Sequence, residues 1–154
     1  MDDKAYRRAL GAFATGVAVV TAADGAGVRA ITINSLTSVS LAPRLILWCL
    51  GDQSERFDAF AQAEAFGITI LDAGQADLAA RFAVQNCQAL EPGEHATLAG
   101  APVLSAGLSR LACRAHERRT MGDHLVIVGE VVAFDNADGA GLTYFRGRFG
   151  EAAP

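Results

Sequence analysis

The sequence predicts a mainly β protein with short helices, in which an antiparallel barrel carries helices packed on its outside. Three observations support this fold class. Apolar, β-branched runs of strand length recur along the chain. Most of them are joined by short turn clusters, and no long helix separates one strand from the next, as a parallel sheet would require. With 154 residues, of which 51% are hydrophobic, the chain can enclose one core, so we expect a single domain over residues 1–154.

The first predicted element is a helix, followed by a β-hairpin. Apolar residues recur at helical spacing at Tyr6, Ala9, Leu10, Phe13 and Val17. Two acidic residues precede this run, and Gly16 is expected to end the helix. Residues 17–21 and 28–33 are then rich in β-branched side chains, and the Gly- and Asp-containing cluster 23–27 between them is typical of a turn.

In the middle of the chain, the sequence predicts two strands, two short helices and one irregular loop. A strand over 44–50 begins after Pro43, and Ser54 is expected to open a short helix. Residues 66–71 form a strand, and 74–83 form a second surface helix. Residues 84–102 show no sustained period, so we expect an irregular functional loop there, a candidate lid.

The C-terminal part completes a set of about six or seven strands and about three short helices. Strands are predicted over 108–115, 125–135 and 142–145. The apolar run 126–134 needs cover on both faces, and the outward face of an antiparallel barrel strand must meet helices or another subunit. This run is the physical ground for expecting a homodimer.

Composition and missing motifs exclude several classes of protein. A net charge of −4 and a pI near 5.3 give no reason to expect nucleic acid as a partner. The apolar runs are too short for a membrane span, and the N-terminus carries no export signal, so we expect a cytoplasmic protein. The sequence contains no G-x-G-x-x-G dinucleotide-binding motif and no P-loop, zincin or α/β-hydrolase motif.

The cysteines and histidines indicate neither disulfides nor a metal. Three cysteines, an odd number without C-x-x-C spacing, are expected to be reduced side chains, most of them in the core: Cys49, Cys87 and Cys113. The three histidines lack the helical i, i+4 spacing and the nearby thiolates typical of a metal site: His95, His116 and His124.

Residues 30–43 combine strand-forming residues with many hydroxyl and amide side chains. Such groups, beside exposed backbone N–H groups, can bind a phosphate or the carbonyl and nitrogen edge of a heterocycle such as a flavin. The alternative is a capped strand end followed by a Ser- and Thr-rich loop, which composition alone favours.

Four blocks of sequence, in order, resemble the flavin reductase-like family of short-chain NAD(P)H:flavin oxidoreductases. The first is 6–21, and the second is 32–40 followed by Pro43. The third is 66–71 with the helix after it, and the fourth comprises Gly122-Asp123-His124, Gly129-Glu130-Val131 and Arg148-Phe149-Gly150. Together they span nearly the whole chain.

The resemblance implies an antiparallel split β-barrel that binds FMN or FAD in a groove at the interface of a homodimer. The implied activity is reduction of FMN or FAD with NADH or NADPH as electron donor, and the reduced flavin passes to a partner monooxygenase. Two alternatives stay open: an FMN-binding electron-transfer or sensor protein without nicotinamide turnover, and a dimeric scaffold that has lost flavin binding.

The resemblance also implies a set of site residues. Around the isoalloxazine and ribityl chain it places Thr32, Ile33, Asn34, Ser35, Ser38, Val39 and Ser40. Ser54, at a predicted helix N-terminus, and Arg56 would bind the phosphate, while Phe149 would cover one face of a ring. His124 is the candidate catalytic residue, which would orient the nicotinamide or bind the flavin edge. Taken alone, Arg56 is equally explained as a solvated helix-face residue, Phe149 as core packing and His124 as a structural histidine.

Overall fold

A computed structural model describes residues 2–86 and 89–154 and contains, in that part of the chain, twelve strands and three α-helices. The helices are α1 (Asp3–Leu10), α2 (Phe57–Gln62) and α3 (Ala76–Ala83), the last preceded by a 3-10 turn over Ala73–Gln75. The strands of the N-terminal half are β1 (Thr15–Gly16), β2 (Ala18–Asp24), β3 (Gly27–Ile33), β4 (Thr37–Leu41), β5 (Arg44–Gly51) and β6 (Ala65–Ile70). Those of the C-terminal half are β7 (His95–Leu98), β8 (Ala101–Leu104), β9 (Ser109–Met121), β10 (His124–Asn136), β11 (Gly141–Phe145) and β12 (Arg148–Ala152).

Seven strands form one antiparallel sheet in the order β3-β2-β6-β9-β10-β5-β4, and this sheet curls into the predicted split barrel. The split lies between the edge strands β3 and β4, which the chain joins through residues 34–36. The long β9–β10 pair has register shifts at Val128/Gly129 and Val131/Ala133. Such bulges increase local twist and bend, which helps the sheet to close. The predicted antiparallel fold class is therefore confirmed.

Two apolar clusters stabilise the fold, one inside the barrel and one between the sheet and α3. The interior is built around Trp48, whose ring packs edge-on against Phe60 and Phe66 at centroid distances of 5.6 and 6.0 Å. The second cluster lies between the sheet and α3 and includes Val19 and Phe82. Since Val19 and Val20 face different clusters, β2 is buried on both sides.

The predicted hairpin of β2 and β3 and the strands β5, β6, β9, β10 and β11 all occur, but the first helix is shorter than predicted. It ends at Leu10 with Gly11 as its C-cap, not at Gly16. Gly11 weakens helix propagation, and its carbonyl accepts a hydrogen bond from the Arg146 N–H at 2.9 Å. Thr15 and Gly16 then pair with β11 instead of extending the helix.

The prediction of an irregular lid over 84–102 is wrong in its second half. β7 and β8 form a hairpin there, and Ala101 and Val103 are buried. The Thr21 hydroxyl donates to the Pro102 carbonyl at 2.6 Å, which fastens the hairpin to β2. Neither β4 nor β12 is among the predicted strands, because the serines of β4 are typical of a loop and β12 contains Gly150.

Cys49 and Cys113 are free, and burial raises the pKa of the Cys113 thiol to about 12. Cys87 lies outside the described residues. Within the part of the chain that the structure describes, no helix has the length and apolar character needed to cross a membrane.

Candidate functional site

A groove of about 1330 Å³ opens at the split of the barrel. Its walls are α1 and the loop after it, the start of β2, the β3–β4 connection and the β11–β12 turn. Pockets for drug-sized ligands occupy roughly 300–1,000 Å³, so this groove can hold a larger molecule such as a nucleotide. Ile33, Asn34 and Ser35 line it, as three of the predicted binding residues.

The β3–β4 connection presents fixed polar groups to the groove. The Cys49 N–H donates to Ser35 Oγ at 3.0 Å, so the hydroxyl is held in place while its own proton can still be donated. Asn34 and Thr37 are exposed at the groove wall. These side chains can donate to and accept from the polar edge of a bound ring.

Part of the groove lining is basic. Lys4, Arg7 and Arg8 project from α1, and Arg146 projects from the β11–β12 turn. The sequence interpretation missed α1 as part of the site, although its i, i+3, i+4 spacing of basic residues places all three on one helix face. Apolar side chains also line the groove: Leu10, Phe13, Val17 and Leu36.

His124 starts β10 beside the end of β5 and the short loop, residues 52–56, that follows it. It pairs with Gly51, and a Cβ placed on Gly51 would lie 3.7 Å from His124 Nε2, so the imidazole stands over this glycine. The imidazole Nδ1 is 2.7 Å from Asp123 Oδ1. This hydrogen bond lowers the pKa of Asp123, and the charge of Arg7 adds to the effect.

His124 does not line the groove itself, but it stands at the same end of the barrel. Only β5 separates its backbone from the Ser35 segment, which is two strand spacings or about 10 Å. The 48% exposed imidazole is therefore accessible to a ligand that extends beyond the groove.

Ser54 and Arg56 do not form a helix-end phosphate site as predicted. The six-residue α2 begins only at Phe57, and Ser54 Oγ accepts from the Arg56 N–H at 3.3 Å instead of capping the helix. The Asp52 N–H donates to the Asp123 carbonyl at 3.0 Å, which joins the loop that carries Ser54 to the turn before His124.

Arg56 is buried, which contradicts both the phosphate-binding interpretation and the solvated one. The residue is only 7% exposed, and its guanidinium donates to the carbonyl oxygens of Ala30 at 3.1 Å and Val84 at 2.8 Å. These bonds join β3 to the end of α3. The arginine therefore stabilises the fold and does not face the groove.

The other predicted residues flank the groove. The Thr32 hydroxyl donates to the Ala79 carbonyl at 2.7 Å, toward α3. Ser38, Val39 and Ser40 lie on the edge strand β4, where Val39 is half exposed. Phe149 packs on Tyr144, a groove residue, at a centroid distance of 5.4 Å. It supports the wall from behind.

The groove fits a flavin nucleotide chemically. It combines apolar walls for a ring system, an Asn34 amide and a hydrogen-bonded Ser35 hydroxyl for its polar edge, and cations for a phosphate. In addition, Thr15, a groove residue, has a buried hydroxyl without a hydrogen-bond partner in the described part of the chain. A buried polar group of this kind is expected to find a partner when a ligand binds.

Comparison with known proteins gives matches over nearly the whole chain. The flavin reductase like domain family matches residues 10–153. The FMN reductase (NADH) SmoA of Agrobacterium fabrum is 41% identical over 150 residues, which cover 97% of this chain and 86% of that protein. The reductase component of 4-nitrophenol 4-monooxygenase/4-nitrocatechol 2-monooxygenase from Rhodococcus opacus is 35% identical over 155 residues, covering 100% of this chain and 83% of its own.

The fold is also that of a solved relative. The NADH:FAD oxidoreductase SgcE6 of Streptomyces globisporus, in complex with NAD and FAD fragments, superposes with a TM-score of 0.91 at 33% identity, covering 99% of this chain and 94% of that one. Some relatives are longer, and the chain spans 48% of the length of one of them. From the matched range and these identities, the chain belongs to the flavin reductase-like family.

Proposed function

We propose that this protein catalyses NAD(P)H-dependent reduction of FMN or FAD and supplies the reduced flavin to a partner flavin-dependent monooxygenase. One observation carries the proposal: the polar segment Asn34–Ser35, which the family resemblance places at the flavin, lines a nucleotide-sized groove in a chain that matches the family over 10–153. The names of the relatives support NADH as donor and a monooxygenase as recipient.

The residues of the groove would bind and orient the flavin. Ser35, fixed by the Cys49 N–H, and Asn34 hydrogen-bond to the polar edge of the ring, while Leu36 covers an apolar part of it. The chemistry that the bound pair supplies is hydride transfer from a reduced nicotinamide to the flavin. The protein's contribution is therefore close approach and exclusion of water, because orientation alone lowers the barrier substantially.

His124 would orient the nicotinamide. Its Nδ1 is engaged by Asp123, which leaves Nε2 directed to the loop that carries Ser54. A ring held by a carboxylate on one nitrogen presents the other in a fixed direction. His124 then acts through a hydrogen bond to the nicotinamide, not as an acid or base.

We further propose that residues 1–154 act as one domain in a cytoplasmic homodimer. β4 is an edge strand of the main sheet and exposes Val39 and Leu41, the latter 86% accessible. β10 exposes Val132 and Phe134. Exposed edge strands with apolar side chains are normally covered, and a second copy would cover both.

Steady-state turnover tests the proposed activity. Catalytic amounts of protein are mixed with NADH or NADPH and with FMN, FAD or riboflavin, and nicotinamide oxidation is followed. Many turnovers per protein are expected, and His124→Ala should lower the rate about tenfold or more through lost orientation. His116→Ala, which removes an exposed histidine of β9, is the matched control. Flavin binding without turnover would instead indicate a passive FMN protein.

A further inference from the structure

The groove is far more basic than the protein as a whole. The chain carries a net charge of −4, yet the groove lining contains Lys4, Arg7, Arg8 and Arg146 and, among the described residues, no acidic side chain. A concave surface lined by one sign of charge concentrates its field. The groove is therefore built for an anionic ligand.

These four cations are not engaged by carboxylates. In residues 2–86 and 89–154, none of them forms an ion pair within 4.0 Å, whereas Arg29, Arg81 and Arg110 each have an acidic partner. The effect of Arg7 reaches Asp123, whose pKa it helps to lower. The four cations are therefore available to an anionic ligand in the groove.

Arg146 occupies a backbone position that does not suit arginine. Phe145 and Arg148 pair across β11 and β12, so Arg146 and Gly147 form a two-residue turn, with φ values of 49° and 82°. Positive φ at both positions is the geometry of a type I′ turn, which strongly favours Asn-Gly. An arginine there is strained, and such strain is often associated with function.

The same turn is fastened to α1. The Arg146 N–H donates to the Gly11 carbonyl at 2.9 Å, and its guanidinium lies 5.3 Å from the Phe145 ring centroid. The cation of the turn and those of the helix are therefore held on one surface. Next to them Phe13 is 77% exposed and lines the groove, so it offers an aromatic face beside the positive charges.

We propose that α1 and Arg146 form a diphosphate-binding wall, on which Arg7, Arg8 and Arg146 bind the diphosphate of a dinucleotide while Phe13 stacks on its base. The inference rests on the proposed function, because it assigns part of the same groove. Guanidinium groups bind phosphate oxygens in pairs of parallel hydrogen bonds, and two adjacent phosphates match several neighbouring cations. Both FAD and NAD(H) carry this group.

Arg146→Asn tests the wall, because asparagine suits the turn. The variant should keep or raise the urea midpoint of unfolding, while it weakens binding of a dinucleotide about tenfold. FAD, FMN, riboflavin and NAD⁺ are titrated separately against wild-type and variant protein by calorimetry. A selective loss for FAD assigns the wall to the flavin, and one for NAD⁺ assigns it to the nicotinamide nucleotide. Arg44→Gln, an exposed residue outside the groove, is the control for loss of one charge.

Several results would overturn the proposal. Unchanged affinities for both dinucleotides would do so, as would an equal loss for riboflavin, which has no phosphate. An equal loss for FMN and FAD would reduce the site to a single phosphate. A fall in sedimenting mass with unchanged affinities would make the groove a subunit interface. Turnover by the wild-type protein tests the proposed function separately, because these titrations need no reduction.

Discussion

Replacing Arg56 with methionine should destabilise the fold without changing recognition of the flavin phosphate. Within the described residues, the guanidinium makes two well-formed hydrogen bonds to carbonyl oxygens, at 2.8 and 3.1 Å, and a longer one of 3.5 Å to the Phe82 carbonyl. Hydrogen bonds from a charged donor contribute about 1.5–3 kcal/mol each. Because the two strong ones share a donor group and are not additive, we expect a loss of about 3–5 kcal/mol.

That loss is large against the total stability of a domain, which is about 5–15 kcal/mol. With a urea dependence of about 2 kcal/mol per molar for a chain of this size, the unfolding midpoint should fall by roughly 2 M. Urea titrations followed by circular dichroism measure the shift. Arg44→Met, at an exposed position, is the control and should stay within about 0.5 kcal/mol of the wild type.

The competing interpretation makes the opposite prediction. If Arg56 bound the flavin phosphate, its loss would leave the midpoint in place and reduce the affinity for FMN but not for riboflavin. Arg56→Lys keeps one cationic donor and should give an intermediate midpoint, so the comparison remains possible if the methionine variant does not fold. An unshifted midpoint with a selective loss of FMN binding would refute the structural role of Arg56.

Three further predictions concern other parts of the molecule. Ser54→Ala should leave the dissociation constants of both FMN and riboflavin unchanged, because Ser54 Oγ accepts from the Arg56 N–H and does not line the groove; a rise for FMN alone, measured by flavin fluorescence, would show that Ser54 contacts the phosphate. Gly67→Ala should lower the free energy of unfolding by about 3 kcal/mol or more, because the added Cβ would lie 1.8 Å from the Pro102 carbonyl oxygen. Gly25→Ala is the control and should be tolerated, because nothing lies within 4 Å of its added Cβ. Similar urea midpoints for the two variants would contradict the packing of β8 on β6. Burial raises the pKa of the Cys113 thiol from 9.0 to about 12. The unfolded chain therefore loses the thiol proton at a lower pH than the folded chain, and the free energy of unfolding falls above pH 9 by about 1.4 kcal/mol per pH unit. Urea titrations between pH 8 and 10 should show this fall in the difference between wild type and Cys113→Ala, and a difference independent of pH would contradict it.

The strands could be predicted from sequence where their apolar pattern was dense. β2, β5 and β10 carry β-branched or aliphatic runs that bury at least one face. β4 and β12 could not be predicted in this way, because their order comes from pairing with β5 and β11. The helical spacing of Phe13 and Val17 was misleading, since the hydrogen bond from Arg146 to Gly11, distant in sequence, ends the helix.

The site was predictable only where local sequence carries the chemistry. Asn34 and Ser35 were assigned to the site through the family resemblance of residues 32–40, because composition alone favoured a capped strand end. Arg56 was misassigned because its carbonyl partners on β3 and α3 are distant in sequence. The basic groove wall is likewise assembled by folding, from α1 and a turn near the other end of the chain. No local pattern contains both parts.

Anaerobic mixing of the protein, one flavin and one reduced nicotinamide tests the central claim most directly. The visible absorption band of the oxidised flavin should bleach rapidly, and with NADH deuterated on the transferred face the rate should fall, because a hydride moves directly between the two rings. FMN and FAD, each with NADH and NADPH, rank the preferred pair. If flavin binds but its absorption persists with both donors, the protein is not a flavin reductase.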